Sequence, residues 1–170
     1  GPPREMKPMF EQQVKPYLLK DSDTRLVSHT MHFFGIGESM LEDRLRSLME
    51  KSLNPTVAPY AKTGEVQLRV TARVKDGEDP NALLEPVMEQ IRQTVGEFLY
   101  GVDVGDLQTA VVRLLTEKER KVAVAESCTG GYLAKRITDV SGSSKVFECG
   151  VCSYSNRIKH QLLGVSEQTL

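Results

Sequence analysis

The stretch that most constrains the fold of this chain is VAVAESCTGG, which runs from Val122 to Gly131. Its first half is a short apolar run typical of a buried strand, and its two glycines directly precede a helical pattern. A strand that turns tightly into a helix places the turn at the edge of a sheet, where α/β proteins hold their ligands. The hydroxyl of Ser127 would lie in this turn, beside N–H groups of Thr129, Gly130 and Gly131 that we expect to be free for an oxyanion or a phosphate.

The residues after this turn predict a second strand that runs parallel to the first. Residues 147–154 have the composition of a strand, and residues 156–163 have the spacing of a helix that ends at Gly164. Strand, helix and strand at this spacing imply a parallel pair with a right-handed crossover. Residues 106–170 are therefore expected to form the first, incomplete part of an α/β domain with a three-layer, parallel-sheet architecture.

Four side chains near these strands are candidates for chemistry. Tyr154 and Lys159 follow the second strand, so they are expected at the same carboxyl edge as Ser127. Ser144 precedes that strand and is expected at the opposite edge, unless its loop folds back or a neighbouring subunit supplies it. A serine in such a turn is more often only a helix cap, so spacing alone does not identify a catalytic group.

An alternating run predicts an antiparallel sheet in the first part of the chain. Five apolar residues share one face of the run, namely Val66, Leu68, Val70, Ala72 and Val74. A strand is also expected over 24–36, a helix after a capping box of Ser39 and Glu42, and a second helix from Asp79-Pro80 to Gly101. Residues 21–101 thus read as a small α+β domain, and residues 1–20 as a tail.

The composition argues against several classes of function. A formal net charge of −1 provides no basic excess for a nucleic-acid partner, so none is expected. No apolar run approaches the ~20 residues that span a bilayer, and no signal peptide is evident, so no membrane association is expected. Three cysteines, an odd number, indicate a reducing compartment, which predicts a cytoplasmic protein.

No metal or cofactor site is expected either. Cys149 and Cys152 have CxxC spacing, but they lie in a predicted strand, where such positions face opposite ways, and no second pair completes a zinc site. His29 and His32 are also three apart in a strand, and we interpret both as hydrogen-bonded or exposed side chains.

Several further motifs, taken together, indicate a family. They are Ala125-Glu-Ser-Cys-Thr-Gly-Gly131, Gly142-Ser-Ser144, Tyr154-Ser-Asn156 with Lys159, and Leu163-Gly-Val165. In combination they resemble the start of the C-terminal domain of the competence/damage-inducible (CinA) protein family. That domain is similar to stand-alone bacterial nicotinamide-nucleotide amidohydrolases of the PncC type.

The upstream sequence resembles earlier parts of the same family. Residues 58–62 and 64–72 resemble its KH-like middle domain, and residues 1–9 resemble the tail of its molybdopterin-binding-like N-terminal domain. The resemblance implies that the chain is an internal segment, which we expect to be inactive alone and to lack the nucleotide-pyrophosphate activity of the family's N-terminal domain.

The activity that the resemblance implies is hydrolysis of the carboxamide of nicotinamide mononucleotide (NMN) to nicotinate mononucleotide and ammonia, in pyridine nucleotide recycling. Among the residues that match the motifs, Ser127 is the candidate nucleophile and Lys159 the base that takes its proton, and Tyr154 relays that proton or holds the oxyanion. Substrate-binding roles are predicted for four residues of the turn: Glu126, Thr129, Gly130 and Gly131. We expect the protein to form a homo-oligomer.

Several alternatives stay open from the sequence. Ser144 also belongs to the family motif and rivals Ser127 as the nucleophile. Cys128 lies at a predicted helix N-terminus, which favours a thiolate and a cysteine amidase. In a different functional class, the middle domain is a non-enzymatic linker, an oligomerisation module or a nucleic-acid-binding module, although it lacks the GxxG loop with which KH domains clamp nucleotides.

Overall fold

The computed structural model describes residues 1–20 and 23–170, and the chain divides into two compact units, Gly1–Asp103 and Val104–Leu170. The first unit begins with helix α1 (Pro3–Met9), a π-helical turn (Phe10–Val14) and helix α2 (Lys15–Leu19), all of which are exposed. No helix in residues 1–20 and 23–170 combines the length and apolar character that crossing a bilayer requires.

The rest of the first unit is an antiparallel sheet with two helices on one face. Its strands are β1 (Thr24–Phe33), β2 (Thr56–Lys62), β3 (Glu65–Lys75) and β4 (Leu99–Val102), in the order β2-β3-β1-β4. Helix α3 (Glu38–Lys51) follows β1, and helix α4 (Asn81–Val95) follows β3. This unit confirms the predicted α+β fold class.

The alternating run forms β3 as predicted, because its apolar side is fully covered by the helices. The five apolar side chains of β3 are buried, together with Leu41 and Leu45 of α3 and Leu84, Met88, Ile91 and Val95 of α4. Burying an aliphatic side chain of this size contributes about 1.5–3 kcal/mol. The two histidines of β1 are hydrogen-bonded, as expected: His29 contacts Asp103, and buried His32 contacts Gln67 and Tyr100.

Both helices on the sheet of the first unit differ in detail from the sequence prediction. Ser39 does not cap α3, because the helix begins at Glu38 with Gly37 as its N-cap and no side-chain capping bond. The helix predicted to reach Gly101 ends at Val95, and β4 follows after a 3₁₀ turn over Gly96–Phe98. Three of the four residues of β4 pair with β1, an interaction that propensity over so short a segment does not reveal.

The second unit contains the predicted strand, helix and strand. Helix α5 (Leu107–Glu117) is followed by β5 (Val122–Glu126), α6 (Tyr132–Thr138), a 3₁₀ turn (Ser143–Lys145), β6 (Phe147–Cys152) and α7 (Asn156–Leu163). Strands β5 and β6 are parallel, which confirms the beginning of an α/β fold. Val112 of α5, Ile137 of α6 and Val146 form its buried core.

Candidate active site

The parallel pairing of β5 and β6 brings two of the candidate segments to one edge of the sheet. Glu126, the last residue of β5, pairs with Cys152, the last residue of β6. The backbone N–H of Ser153 then donates to the carbonyl oxygen of Glu126 at 2.8 Å, which holds the two strand ends together. Ser127 and Tyr154 therefore both leave the sheet at its carboxyl edge.

Lys159 reaches this region through the first turn of α7. Ser155 is the N-cap of that helix, and its carbonyl oxygen accepts the backbone N–H of Lys159 at 3.0 Å. The Lys159 side chain is half-buried, whereas Tyr154 is 77% exposed. The order of elements that the sequence predicted is thus present, and the catalytic roles of Ser127, Tyr154 and Lys159 stay predictions.

Ser127 begins a tight turn that needs its two glycines. Gly130 and Gly131 have φ angles of +60° and +93°, which are in the left-handed region that glycine adopts without steric cost. The N–H of Gly130 donates to the carbonyl oxygen of Ser127 at 3.1 Å. Ser127 itself is half-buried.

The expectation that the glycine N–H groups are free is wrong for Gly130, whose N–H is used within the turn. The backbone N–H of Gly131 contributes to holding the pKa of the Glu126 carboxyl below its ordinary value. In the described part of the chain, the backbone N–H groups of Cys128 and Thr129 have no such partner. These two groups are the remaining candidates for oxyanion donors beside Ser127.

The carboxylate of Glu126 binds the free N–H groups in the first turn of α6. Its Oε2 accepts the N–H of Leu133 and its Oε1 accepts the N–H of Ala134, both at 2.8 Å, and the side chain is buried. Burial raises the pKa of Glu126, but hydrogen bonds from Ala134, Leu133, Thr129 and Gly131 outweigh it, so the pKa lies below its ordinary value. Both carboxylate oxygens are already engaged, and the role of Glu126 in substrate binding stays a prediction.

Ser144 lies at the other end of the parallel pair. It is exposed in the 3₁₀ turn before β6, and the carbonyl of nearby Val146 accepts the N–H of Val122, the first residue of β5. Its loop therefore does not fold back to the carboxyl edge. The five residues of β5 span about 16 Å at 3.3 Å per residue, so Ser144 and Ser127 cannot act on one bond in the same chain.

The three cysteines are free and exposed. Cys149 and Cys152 both lie in β6, as the sequence predicted for the CxxC pair. Within the described ranges, 1–20 and 23–170, no group of three or more His, Cys, Asp or Glu side chains is arranged to hold a metal ion. Cys128 is next to Ser127 in the turn, so its thiol can report on the conformation of that turn.

Comparison with known families assigns both units. The model described as "Damage-inducible protein CinA KH domain" matches residues 28–101, and the model described as "CinA C-terminal domain" matches residues 105–170. The chain belongs to the CinA family. In the terms of that family, the antiparallel unit is the KH domain, and the parallel pair with its turns lies in the C-terminal domain.

Full-length CinA relatives are considerably longer than this chain. Relatives from Caldicellulosiruptor bescii and Symbiobacterium thermophilum are 48% and 50% identical to it, and the "CinA-like protein" of Kosmotoga olearia is 45% identical. All of this chain is covered, and it spans 41% of each relative. A crystal structure of a CinA superfamily protein from Escherichia coli matches 39% of each chain at 30% identity, with a TM-score of 0.38, a score too low to define a shared fold.

The capping role of Glu126 in the CinA C-terminal domain is the feature that sequence reasoning missed. A signal for it was present, because α6 has Gly131 at its N-cap and so has no capping side chain of its own. An acidic residue shortly before such a helix is a candidate to accept its unpaired N–H groups. The side chain of Thr129, predicted to bind substrate, contributes to holding the pKa of Glu126 below its ordinary value.

Proposed function

We propose that the CinA protein containing this chain hydrolyses the carboxamide of NMN, with Ser127 as the nucleophile and Lys159 as the base. The products are nicotinate mononucleotide and ammonia, and the reaction belongs to pyridine nucleotide recycling. The observation that carries the proposal is the register of β5 and β6, which places Ser127 and the segment from Tyr154 to Lys159 at the same edge.

The proposed reaction proceeds in two steps. Ser127 Oγ loses its proton to the neutral amine of Lys159 and forms a bond to the carboxamide carbon, and the C–N bond then breaks. The protonated Lys159, directly or through the Tyr154 hydroxyl, donates that proton to the amide nitrogen, which leaves as ammonia. Water then attacks the ester on Ser127 and releases the nicotinate carboxylate and the free serine.

The turn supplies groups for the charge that develops during attack. The N–H groups of Cys128 and Thr129 are adjacent to Ser127 and without partners among the described residues. Removing one donor of this kind from an oxyanion site typically costs about 10²–10³ in kcat. The start of α6 is not available for this purpose, since Glu126 already accepts its N–H groups.

The test is ammonia release from NMN by a full-length protein that carries this sequence. We expect Ser127→Ala and Lys159→Ala each to lower kcat by roughly 10³ or more, since removing either member of a catalytic pair leaves only residual activity. Lys145→Ala is the matched control for Lys159, because Lys145 is exposed and lies before β6 rather than after it.

Ser144→Ala is the variant that decides between the two serines. If Ser127 is attacked, this variant keeps activity close to that of the unaltered protein, unless a neighbouring subunit supplies Ser144. Full activity in both Ser127→Ala and Lys159→Ala would contradict the proposed mechanism. Loss in Ser144→Ala with activity retained in Ser127→Ala would assign the nucleophile to Ser144.

A further inference from the structure

We propose that Glu126 is a positioning residue, which fixes the Ser127 turn by taking the place of an anionic ligand at the start of α6. This inference rests on the proposed function for its catalytic consequence. The sequence predicted that Glu126 binds substrate. We replace that role with a positioning role, in which the Glu126 carboxylate binds backbone N–H groups of its own chain rather than the substrate.

The first argument is that Glu126 is bonded on both sides of the turn. Its carbonyl oxygen accepts the N–H of Ser153 at 2.8 Å, which joins β5 to the segment that leads into Tyr154. Its carboxylate accepts the N–H groups of Leu133 and Ala134 at 2.8 Å each, which joins β5 to α6. A single residue directly before Ser127 therefore connects the three segments that border the candidate site.

The second argument concerns the turn itself. The Thr129 side chain and the Gly131 N–H contribute, after Ala134 and Leu133, to holding the pKa of Glu126 below its ordinary value. The N–H of Gly130 donates to the carbonyl oxygen of Ser127 at 3.1 Å, so the turn also closes on itself directly after Glu126. The Ser127 turn is therefore bounded by Glu126 before it and by the start of α6, which Glu126 binds, after it.

The third argument is the charge of the site. Helix N-termini attract anions because their first N–H groups lack partners, but here a buried carboxylate has filled those positions. A phosphate bound at the same place would meet like charge. We therefore infer that the phosphate of the substrate is bound away from α6, and that the Ser127 turn receives the uncharged carboxamide.

The test compares Glu126→Gln and Glu126→Asp in the full-length protein with Glu148→Gln as the matched control. Glu148 is an exposed carboxylate on β6 that pairs with Lys121 at 3.0 Å, so its loss removes a charge from the same unit without touching the turn. Glutamine has one acceptor oxygen for the two N–H groups of Leu133 and Ala134, so one of them loses its partner. Aspartate keeps the charge on a shorter side chain.

A positioning role predicts a split between kcat and substrate affinity. Misplacement of a reacting group by 1 Å costs about 10²-fold, so kcat of Glu126→Gln, measured per folded molecule, is expected to fall by about 10- to 100-fold. The dissociation constant for NMN is expected to stay within about threefold, and Glu126→Asp to retain an intermediate kcat. An unchanged kcat in Glu126→Gln, or a tenfold weaker NMN affinity with kcat retained, would overturn the proposal.

Two further measurements need no enzymatic activity, so they separate this inference from the proposed function. Amide hydrogen exchange at Leu133 and Ala134 is expected to accelerate by at least tenfold at one of them in Glu126→Gln and to stay unchanged in Glu148→Gln. The reaction rate of the Cys128 thiol with a disulfide reagent is expected to change in the same variant. If the unaltered protein releases no ammonia from NMN, the proposed function fails, but these two rates still show whether Glu126 orders the turn. If both rates are unchanged in Glu126→Gln, the positioning role of Glu126 is refuted.

Discussion

Asp103 is a residue outside the apolar core of the first unit at which we expect substitution to lower stability measurably. Its backbone N–H donates to the carbonyl of Thr30 at 2.8 Å, and its Oδ1 accepts the N–H of Thr30 at 2.8 Å. Its Oδ2 accepts Nδ1–H of His29 at 2.6 Å. Asp103 therefore continues the pairing of β4 with β1 by one residue, and it does so with a φ of +54°, in the left-handed region.

The size of the effect follows from these contacts. A hydrogen bond to a charged group contributes about 1.5–3 kcal/mol, but the Asp103 side chain is 49% exposed, so solvent reduces the two bonds together to about 1–2 kcal/mol. Alanine in the left-handed region costs about 1 kcal/mol more, whereas asparagine tolerates that conformation and keeps an acceptor for Thr30. We expect Asp103→Ala to lower the free energy of unfolding by about 2–3 kcal/mol and Asp103→Asn by about 1 kcal/mol or less.

The assay is urea unfolding of the whole chain, with amide exchange at Thr30 to locate the change. Asp43→Ala is the control, because Asp43 is an exposed carboxylate that pairs with Arg46 three residues away on α3. Surface pairs of this kind are worth about 0.3–0.5 kcal/mol, so little change is expected there. This reasoning would be refuted if Asp103→Ala lowered the free energy of unfolding by less than about 0.5 kcal/mol. It would also be refuted if Asp103→Asn lowered that free energy as much as Asp103→Ala does.

The same contacts predict a dependence on pH. Burial raises the pKa of Asp103, but the N–H of Thr30 and the ring of His29 outweigh it and hold the pKa below its ordinary value. A carboxyl group whose pKa is lower in the folded state stabilises the fold above the unfolded pKa. That stabilisation disappears as the pH falls through the folded pKa, so Asp103→Asn is expected to flatten the loss of stability below about pH 4.

Two predictions concern the second unit. A β-carbon at Gly150 would lie 3.1 Å from Cβ of Ala134 and 3.3 Å from Phe147 and Val124, so Gly150→Ala is expected to lower the free energy of unfolding in urea by about 1–3 kcal/mol. An unchanged midpoint would show that α6 does not pack closely on β6. Since the pKa of Glu126 is also below its ordinary value, the stability that it contributes is present above the unfolded pKa and lost as the pH falls. Thermal unfolding between about pH 6 and pH 3 is expected to show a weaker acid loss in Glu126→Gln, and identical pH profiles would contradict this.

The periodicity of apolar residues in the sequence correctly predicted the strands and helices that bury one face in the core. The alternation of β3, the parallel pair and the bounds of α7 all follow from residue patterns that the core makes obligatory. Asp106 is the N-cap of α5 and accepts the N–H of Thr109 at 2.9 Å, which is an arrangement that local capping preferences explain. These features depend on neighbours in the sequence or on one simple rule of burial.

The features that the sequence did not predict depend on distant partners. Strand β4 forms because it pairs with the free edge of β1. The strand propensity of a four-residue segment is too weak a signal to predict such a strand from the sequence. The capping of α6 by Glu126 likewise joins residues seven and eight positions apart across a turn, so no local motif describes it. A helix that begins on a glycine without a capping side chain is the clue to search for such a partner.

The fold supports the predicted separation of the two motif serines. Both belong to one family pattern, but the sequence places Ser127 after a strand and Ser144 before one, which predicts opposite edges unless the loop of Ser144 folds back. In a parallel pair, however, the residue after one strand and the residue before the other must lie at opposite edges, and the bond from Val122 to Val146 fixes that arrangement here. Only Ser127 shares its edge with Tyr154 and the start of α7. A role for Ser144 in the same reaction therefore requires a second chain to bring it there, whereas the roles proposed for Ser127 and Lys159 require only the topology of this one.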